Sequence, residues 1–468
     1  MDAHELSLED WIVRCQTEGE KRLMDHLLVL KRERVFAKPY FDKIHAITLK
    51  KLEETYTFPK GDRNFDLSVF RGRYDVLQNR YPDMMNWAWL CYSVCLYHSL
   101  GDTLGYYNGI WEFNNGAQKQ VDAEYIYEMI DRYVGMGCIN TMTITNWKAS
   151  DDTVMYLATV KAMMTGSNVE ERTKKAKELY LAAEPIIKDR HPGVTTMTSL
   201  EVQRTIAWNN LRYDSASIGN GAVMRTGCIG LFDVGNASLK NLITHSVLNS
   251  QLTHNSATSI LGCITTALFT SYAVKKVPIE TWPSKLLKII KSTVIEDIIE
   301  TYRKATLAQF RIDRGVYIAQ WEKYTSQLMT GTALRTDLRA MNRLTMRYSY
   351  LVVNFSKGCG VPGGCADDAV IMAFDALIRC NGSIESLLFY AVFHPGDSDT
   401  VGALAFSWFA GFYGSPDNER IVSRMIKNLE FYEQFQRIFD QLLRTAIRTY
   451  YIDLYTDISR RVTKQLIN

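Results

Sequence analysis

The chain has 468 residues, of which 47% are hydrophobic and 22% are charged. These proportions are typical of a globular protein and exclude a disordered chain, a collagen and a low-complexity scaffold. The formal net charge of +3 gives no electrostatic argument for a nucleic-acid partner. The first residues lack the basic and apolar segments of a secretory signal, so we expect a cytoplasmic protein whose nine cysteines are free thiols.

Helical patterns follow one another along the chain, and no series of alternating strand patterns joined by hairpin turns interrupts them. We therefore predict an all-α fold. We predict that residues 1–90 form a helical N-terminal extension, that residues 91–450 form one large domain, and that residues 451–468 are the end of a C-terminal helix. Within the large domain, Ser415-Pro416-Asp417 is a helix-start signal.

The stretch Asn241–Val274 contains no Asp, Glu, Lys or Arg, so we compared it with a membrane-spanning helix. A spanning helix requires about 20 predominantly apolar residues. Here Asn, Ser, Thr, Gln and His interrupt the apolar residues. We therefore expect buried helices in a large core, and no membrane partner.

Two short acidic segments share one design. Ser150-Asp151-Asp152-Thr153 and Gly396-Asp397-Ser398-Asp399-Thr400 each place two carboxylates and two hydroxyls before an apolar helix. Either segment alone is typical of helix capping, because Ser, Asp and Thr are preferred N-caps and acidic groups favour the positive end of a helix dipole. The pair indicates more, because four carboxylates clustered near a core repel one another without cations or protons. Oxygen ligands select hard cations, so the two segments predict a magnesium site with one or two ions.

Three further segments contain glycine or small residues. They are Gly101–Phe113, which carries Glu112, Gly219–Arg225 with its Gly-x-Gly, and Thr253-His254 before a helix of small residues. Glycines that open a helix let backbone N–H groups approach phosphate oxygens, although a tight turn before a buried helix gives the same pattern. A lone histidine such as His254 is more often a hydrogen-bonded core residue than a ligand.

The five segments, taken in this order, resemble the ADP-ribosylglycohydrolase family over roughly residues 95–450. Gly101–Gly109 followed by Trp111-Glu112-Phe113 is similar to the first motif of those members that act on ADP-ribosylarginine. Trp147 with Ser150–Thr153 is similar to the first metal segment of the family, and Gly396–Thr400 to the second.

The resemblance implies an all-α catalytic domain over residues 91–450, with two Mg²⁺ ions in a central cleft. It implies hydrolysis of the N-glycosidic bond between ADP-ribose and arginine in mono-ADP-ribosylated proteins, with ADP-ribose as product. The implied metal ligands are Ser150, Asp151, Asp152, Asp397, Asp399 and Thr400. The implied catalytic residues are Asp151, Asp152 and Glu112. The implied substrate-binding residues are Glu112, Gly219, Asn220, Gly221, Ala222, His254, Gly364 and Cys365.

The chain departs from the arginine-type pattern in two places. Cys365, Ala366 and Asp367 stand where those hydrolases carry Ser, Gly and His, and Asn255-Ser256 stand where they carry two further histidines. Other functions stay open at this point: hydrolysis of a serine linkage or of O-acetyl-ADP-ribose, binding of ADP-ribose without catalysis, and two-metal hydrolysis of a phosphate bond.

Overall fold

The computed structural model describes residues 82–112, 123–166, 168–233, 239–330, 341–356, 358, 360–414 and 416–439. Its α-helices, in chain order, are α1 (Pro82–Tyr106), α2 (Ala123–Gly135), α3 (Cys138–Thr141), α4 (Asp151–Met163), α5 (Val169–Ile187), α6 (Val194–Gln203), α7 (Val223–Thr226), α8 (Leu239–Ser250), α9 (Ala257–Val274), α10 (Trp282–Ile290), α11 (Val294–Thr330), α12 (Met341–Phe355), α13 (Asp368–Arg379), α14 (Ile384–Ala391), α15 (Ser398–Tyr413) and α16 (Pro416–Lys427). In these residues the only β-type pairing is an isolated bridge between Gly219 and Cys365, so the predicted all-α fold is confirmed.

The chain forms two compact units, one of Met1–Trp89 with Gln436–Asn468 and one of Leu90–Phe435. Every candidate site residue belongs to the second unit. The predicted helix start at Ser415–Asp417 is confirmed, because α16 begins at Pro416. The predicted N-terminal extension lies outside the described residues apart from its last residues in α1, and the predicted C-terminal helix end lies wholly outside them.

The apolar helix α9 lies at the centre of the larger unit, where it packs against α8, α11 and α15. Its Phe269 ring contacts four other aromatic side chains with centroid distances of 5.0–5.5 Å, namely Trp282, Trp321, Phe374 and Trp408. Full burial of one phenylalanine side chain stabilises a fold by about 1.5–3 kcal/mol. The aromatic cluster therefore packs α9 against several helices, among them α15, which carries Asp399 and Thr400.

The uncharged stretch forms two buried helices, as predicted. In α8 every residue from Leu242 to Ser250 is buried. Among the described helices, only α9 is long and apolar enough to cross a membrane, and 94% of it is buried inside the molecule. Its apolar surface is thus used by the core of the larger unit.

Helices α1 and α15 cross with their backbones in contact. A Cβ atom on Gly101 would lie 2.2 Å from the carbonyl oxygen of Gly402, and one on Gly105 would lie 2.2 Å from that of Ser398. The Ser398 hydroxyl also donates a 2.8 Å hydrogen bond to the carbonyl oxygen of Gly105. Because both glycines lie inside α1, a tight turn is the wrong interpretation for them. Their contact brings the end of α1 next to the start of α15.

We expect Gly105→Ala to lower the free energy of unfolding by about 2–3 kcal/mol, because the new methyl group overlaps backbone atoms that cannot move independently. Gly315→Ala in α11 is the matched control, since a Cβ there meets nothing within 4 Å. Alanine replaces glycine in a helix with a gain of about 0.5–1 kcal/mol. Chemical denaturation measures both changes, and equal effects at the two positions would contradict the proposed packing role.

Candidate active site and metal centre

The first acidic segment begins helix α4. Ser150 is the N-cap, and its hydroxyl oxygen accepts a 3.1 Å hydrogen bond from the backbone N–H of Asp152. The Ser150 hydroxyl is therefore the side-chain N-cap of this helix. The helix is buried from Asp151 through Val160, as its apolar pattern predicts.

Asp102 supports the same turn from helix α1. Its carboxylate accepts hydrogen bonds of 3.0 Å from the backbone N–H groups of Ser150 and Thr153, and a further one from the Thr153 hydroxyl. Asp102 lies within the segment Gly101–Phe113, but the sequence analysis predicted no function for it. No local signal marks it, because its partners lie about fifty residues further along the chain.

The second acidic segment begins helix α15. The Asp397 carboxylate accepts a 2.9 Å hydrogen bond from the side-chain amide of Asn220, and the Asp399 carboxylate accepts one of 2.8 Å from the N–H of Thr400. The backbone N–H of Asp397 donates to the carbonyl oxygen of Pro362 at 2.8 Å. This segment is therefore held by the loop that precedes α13 and by Asn220 of the segment Gly219–Arg225, hereafter the glycine segment.

The two acidic segments meet in the interior. The Thr400 hydroxyl donates a 2.8 Å hydrogen bond to the Asp152 carboxylate across the space between α15 and α4. The six predicted metal ligands, Ser150, Asp151, Asp152, Asp397, Asp399 and Thr400, are each exposed by 5% or less. The structure thus brings both predicted halves of the site together.

The charges of this cluster are poorly balanced by protein groups. Burial raises the pKa values of Asp151, Asp152 and Asp399 well above their ordinary range, and repulsion between the aspartates raises them further. Burial, with the charge of Asp399, raises the pKa of Asp102 to about 7. Within the described part of the chain, no ion pair joins a lysine or arginine to these four residues or to Asp397. The cluster therefore requires protons or cations near neutral pH.

The donor set fits a hard divalent cation. The gathered side chains offer carboxylate and hydroxyl oxygens, with neither a thiolate nor an imidazole among the six predicted ligands. Oxygen donors of this kind suit Mg²⁺ and do not suit Zn²⁺.

Glu112 lies beside the cluster and is held by a histidine. Burial raises the pKa of Glu112 well above its ordinary range, with Asp399 the next largest cause. His191 places its Nδ1 atom 3.1 Å from a Glu112 carboxylate oxygen and leaves half of its own side chain exposed. Its ring also packs edge-on against Tyr106, with centroids 5.5 Å apart. Sequence reasoning missed His191, which carries no motif of its own.

The predicted glycine segment and His254 also come together. A Cβ on Gly221 would lie 2.6 Å from Thr196 Oγ1 and 2.8 Å from the His254 ring, and one on Gly219 would lie 3.4 Å from His254 Nε2. A side chain at position 221 would therefore displace Thr196 or His254, whereas the contact at Gly219 is an ordinary van der Waals distance. The Thr196 hydroxyl is buried and has no hydrogen-bond partner among the described residues.

The loop before α13 is hydrogen-bonded to the glycine segment. The N–H of Asn220 donates to the carbonyl oxygen of Gly364 at 3.1 Å, and its side chain donates to that of Gly363 at 2.8 Å. Gly219 forms the isolated bridge with Cys365. Asn220, which also donates to Asp397, thus joins the segment Gly219–Ala222 to the acidic cluster.

Cys365, Asp367 and Asp368 form a second group whose ligand atoms lie within 4.8 Å of one another. Cys365 is disulfide-bonded and cannot offer a thiolate, so the expectation that all cysteines are free is wrong for this residue. Asp368 already accepts the N–H groups of Gly363 and Cys365, at 2.9 and 3.0 Å. These bonds shape the loop and argue against a metal there.

A buried arginine joins the glycine segment to the His254 segment. Arg225 is fully buried and donates to the carbonyl oxygen of Gly221 at 2.7 Å, to that of Asn249 at 3.1 Å and to the Thr253 hydroxyl at 2.8 Å. Its guanidinium lies over the Tyr180 ring, 4.5 Å from the centroid. Sequence reasoning assigned it no function, although a charged residue in an apolar helix was a usable signal.

The family assignment rests on direct comparison. A model of the family described as ADP-ribosylglycohydrolase matches residues 98–451. The chain belongs to the ADP-ribosylglycohydrolase family. This family of hydrolases is metal-dependent and acts on ADP-ribosylated substrates.

Two curated relatives are similar over most of their length. The chain is 41% identical over 431 residues to "Putative ADP-ribosyl glycohydrolase L444" of Acanthamoeba polyphaga mimivirus, which covers 90% of this chain and 83% of that protein. It is 28% identical over 347 residues to "ADP-ribosylhydrolase ARH1" of Dictyostelium discoideum, covering 68% and 85% respectively. A solved "ADP-ribosylglycohydrolase-related protein complex" matches with a TM-score of 0.44 and 16% identity, covering 76% of this chain and 99% of that one.

Arg225→Met should lower the free energy of unfolding by about 3 kcal/mol or more. The substitution keeps much of the volume but leaves the carbonyl oxygens of Gly221 and Asn249 and the Thr253 hydroxyl without their donor. Arg204→Met is the matched control, because this half-exposed side chain forms surface ion pairs. Its loss should change the same quantity by less than about 1 kcal/mol in denaturant titrations. A similar loss in the free energy of unfolding for both variants would contradict the bridging function of Arg225.

His254 should make the fold sensitive to acid. Burial, and secondarily Arg225, lowers the pKa of His254 to about 3, against about 6.5 in the unfolded chain. Between these values the unfolded state binds a proton that the folded state does not, so this contribution to stability is lost as pH falls from about 6.5. In His254→Gln, unfolding measured between pH 7 and pH 4 should lose less stability than in the parent, by about 3 kcal/mol. Parallel pH profiles for the two proteins would refute the assignment.

Proposed function

We propose that this protein is a Mg²⁺-dependent hydrolase that cleaves the N-glycosidic bond between ADP-ribose and an arginine side chain of a mono-ADP-ribosylated protein. The products are ADP-ribose and the restored arginine. The observation that carries the proposal is the buried cluster of aspartates at the junction of α4 and α15, joined through Asn220 to a segment in which Gly221 leaves no space for a side chain. A cytoplasmic location stays a prediction.

The residues that would hold two Mg²⁺ ions are Ser150, Asp151, Asp152, Asp397, Asp399 and Thr400. Bound there, Mg²⁺ would orient the ribose hydroxyls and make a water more acidic. The negative charge of the surrounding carboxylates would stabilise the oxocarbenium character that develops at the sugar carbon. Asp151, Asp152 or Glu112 would remove the proton from the attacking water.

The glycine segment would bind the diphosphate. Gly219, Asn220, Gly221 and Ala222 precede the short helix α7, and backbone N–H groups at such a position favour phosphate oxygens. The N–H of Asn220 is already bonded to Gly364, so the other N–H groups of this segment would be the donors. The Thr196 hydroxyl, which has no hydrogen-bond partner in the part of the chain that the structure describes, lies beside Gly221 and offers a further donor. Because its low pKa keeps His254 neutral, that residue would contact the ligand by a hydrogen bond rather than as a cation. Gly364 and Cys365 would line the same end of the cleft.

The arginine linkage is supported by hydrogen-bonding chemistry. A guanidinium offers only N–H donors, and Glu112 offers carboxyl oxygens as acceptors beside the metal segments. His191 holds Glu112 at the half-exposed side of the site, where a protein-linked group could enter. The sequence block that contains Tyr106, Tyr107 and Asn108 resembles the arginine-type members of the family.

The test is to incubate the protein with an ADP-ribosylated arginine peptide, with Mg²⁺ or with a chelator, and to identify the products by mass spectrometry. We expect intact ADP-ribose and unmodified arginine, released only with Mg²⁺. Asp152→Asn and Asp399→Asn should each lower kcat by at least about 100-fold, because each removes a charged oxygen from the metal centre. Asp297→Asn on the exposed start of α11 is the matched control.

Other products would identify other functions. Release from a serine-linked peptide or from O-acetyl-ADP-ribose, without release from arginine, would replace the proposed linkage. Binding of ADP-ribose without turnover of any substrate would indicate a non-catalytic relative. Products split at the pyrophosphate would indicate a two-metal phosphohydrolase. Full activity of both aspartate variants would overturn the metal centre itself.

A further inference from the structure

We propose that Arg190 and Glu430 are positioning residues of the active site, which fix Ala149 and thereby the first acidic segment. The inference rests on the proposed function, because it concerns the same metal centre. Neither residue lies in a motif, and neither side chain is one of the predicted ligands.

The two side chains hold both backbone polar groups of Ala149. Arg190 donates from Nη1 to the carbonyl oxygen of Ala149 at 2.5 Å, and Glu430 accepts the N–H of Ala149 at 3.1 Å. Arg190 and Glu430 also form a two-bond ion pair, with distances of 2.7 and 2.6 Å. Such a fork has a single favourable geometry, so it fixes the position of the peptide that it grips.

The pair is more enclosed than an ordinary surface ion pair. The Arg190 side chain is 11% exposed and that of Glu430 29% exposed, and the guanidinium lies 5.4 Å from the centroid of the Phe431 ring. Burial opposes ionisation of Glu430, but the hydrogen bonds and charge of Arg190 outweigh it and lower the pKa of Glu430. Both members of the pair are therefore charged in the folded protein.

The gripped residue directly precedes the metal segment. Ala149 is followed by the N-cap Ser150, whose own N–H is held by Asp102. The chain is thus held at consecutive residues by side chains from three distant parts of the sequence, which leaves the following carboxylates little freedom. Productive metal geometry requires ligands to be placed within about 0.5 Å.

The neighbouring residue extends the same support. His191 follows Arg190 directly and contacts Glu112. Arg190 and His191 are adjacent residues between α5 and α6. Arg190 contacts the backbone of Ala149, and His191 contacts the carboxylate of Glu112 beside the acidic cluster.

The test uses the full chain with Arg190→Lys or Glu430→Gln. Lysine keeps the charge but cannot form the fork, and glutamine keeps the shape but removes the charge. The matched controls are Arg204→Lys and Glu184→Gln, which alter an ion pair between α5 and the end of α6 that does not touch Ala149. Hydrogen exchange of the amides of Ala149 to Thr153 is measured in metal-free protein, and the Mg²⁺ Kd is measured by calorimetry.

We expect these amides to exchange at least about 10-fold faster in both site variants, and Mg²⁺ to bind about 10-fold more weakly. The control variants should change either quantity less than about 2-fold. The double variant should be less damaged than the sum of the two single effects, because each single change already removes the shared ion pair.

Two outcomes would separate the possible failures. Unchanged exchange and unchanged Mg²⁺ affinity, even with a lower Tm, would reduce the pair to a stabilising surface contact and overturn the inference. If the parent protein binds no Mg²⁺, the proposed function fails, while exchange in the metal-free protein still decides whether Arg190 and Glu430 position the segment.

Discussion

The backbone contact between α1 and α15 determines how close the acidic groups come. Helix pairs with ordinary side chains between them have axes about 8–10 Å apart. Gly101 and Gly105 remove that spacing, so carbonyl groups of the two helices approach directly. Asp102, next to Gly101, can then accept the N–H groups of Ser150 and Thr153 at the start of α4, while Asp399 enters the same space from α15. The close contacts at Gly101 and Gly105 allow the end of α1 and the starts of α4 and α15 to converge.

This convergence has an electrostatic consequence. Carboxylates that meet in a buried space destabilise the folded chain unless their charges are neutralised. The surrounding core, built around α9 and its aromatic cluster, stabilises the fold enough to hold them in place. A cation that binds only the folded state would add to that stability in proportion to its affinity and concentration. Folding and metal binding are thus coupled in a protein of this design.

The sequence predicted those features whose signals are local. The all-α fold follows from helical periodicity, and the two acidic segments follow from carboxylates placed before apolar helices. The buried stretch around α9 was recognisable because polar residues interrupt it too often for a membrane helix. The capping of α4 by Ser150 was likewise readable from residue type.

The missed residues act through partners that are distant in sequence. Asp102 binds residues 48 and 51 positions away, and Glu430 binds a residue 281 positions away. Arg190 and Glu430 have the residue types of solvated surface charges, so only the folded chain distinguishes them from such charges. Conversely, Gly101 was interpreted through a motif, whereas its use in helix packing depends on α15, which lies 300 residues away. Local pattern therefore locates reactive groups better than it locates their supports.

Asn220 connects the glycine segment, which would bind the diphosphate, to the acidic cluster, which would bind the metal. Its side-chain amide donates to Gly363 and to the carboxylate of Asp397, while its backbone belongs to the glycine segment. Any ligand that shifts this residue must also shift an oxygen of the acidic cluster. Binding at the glycine segment and binding at the acidic cluster are then linked. If one ligand changes the affinity of the other by some factor, the second changes the affinity of the first by the same factor. Under the proposed function, ADP-ribose and the cation would accordingly behave as heterotropic effectors of each other.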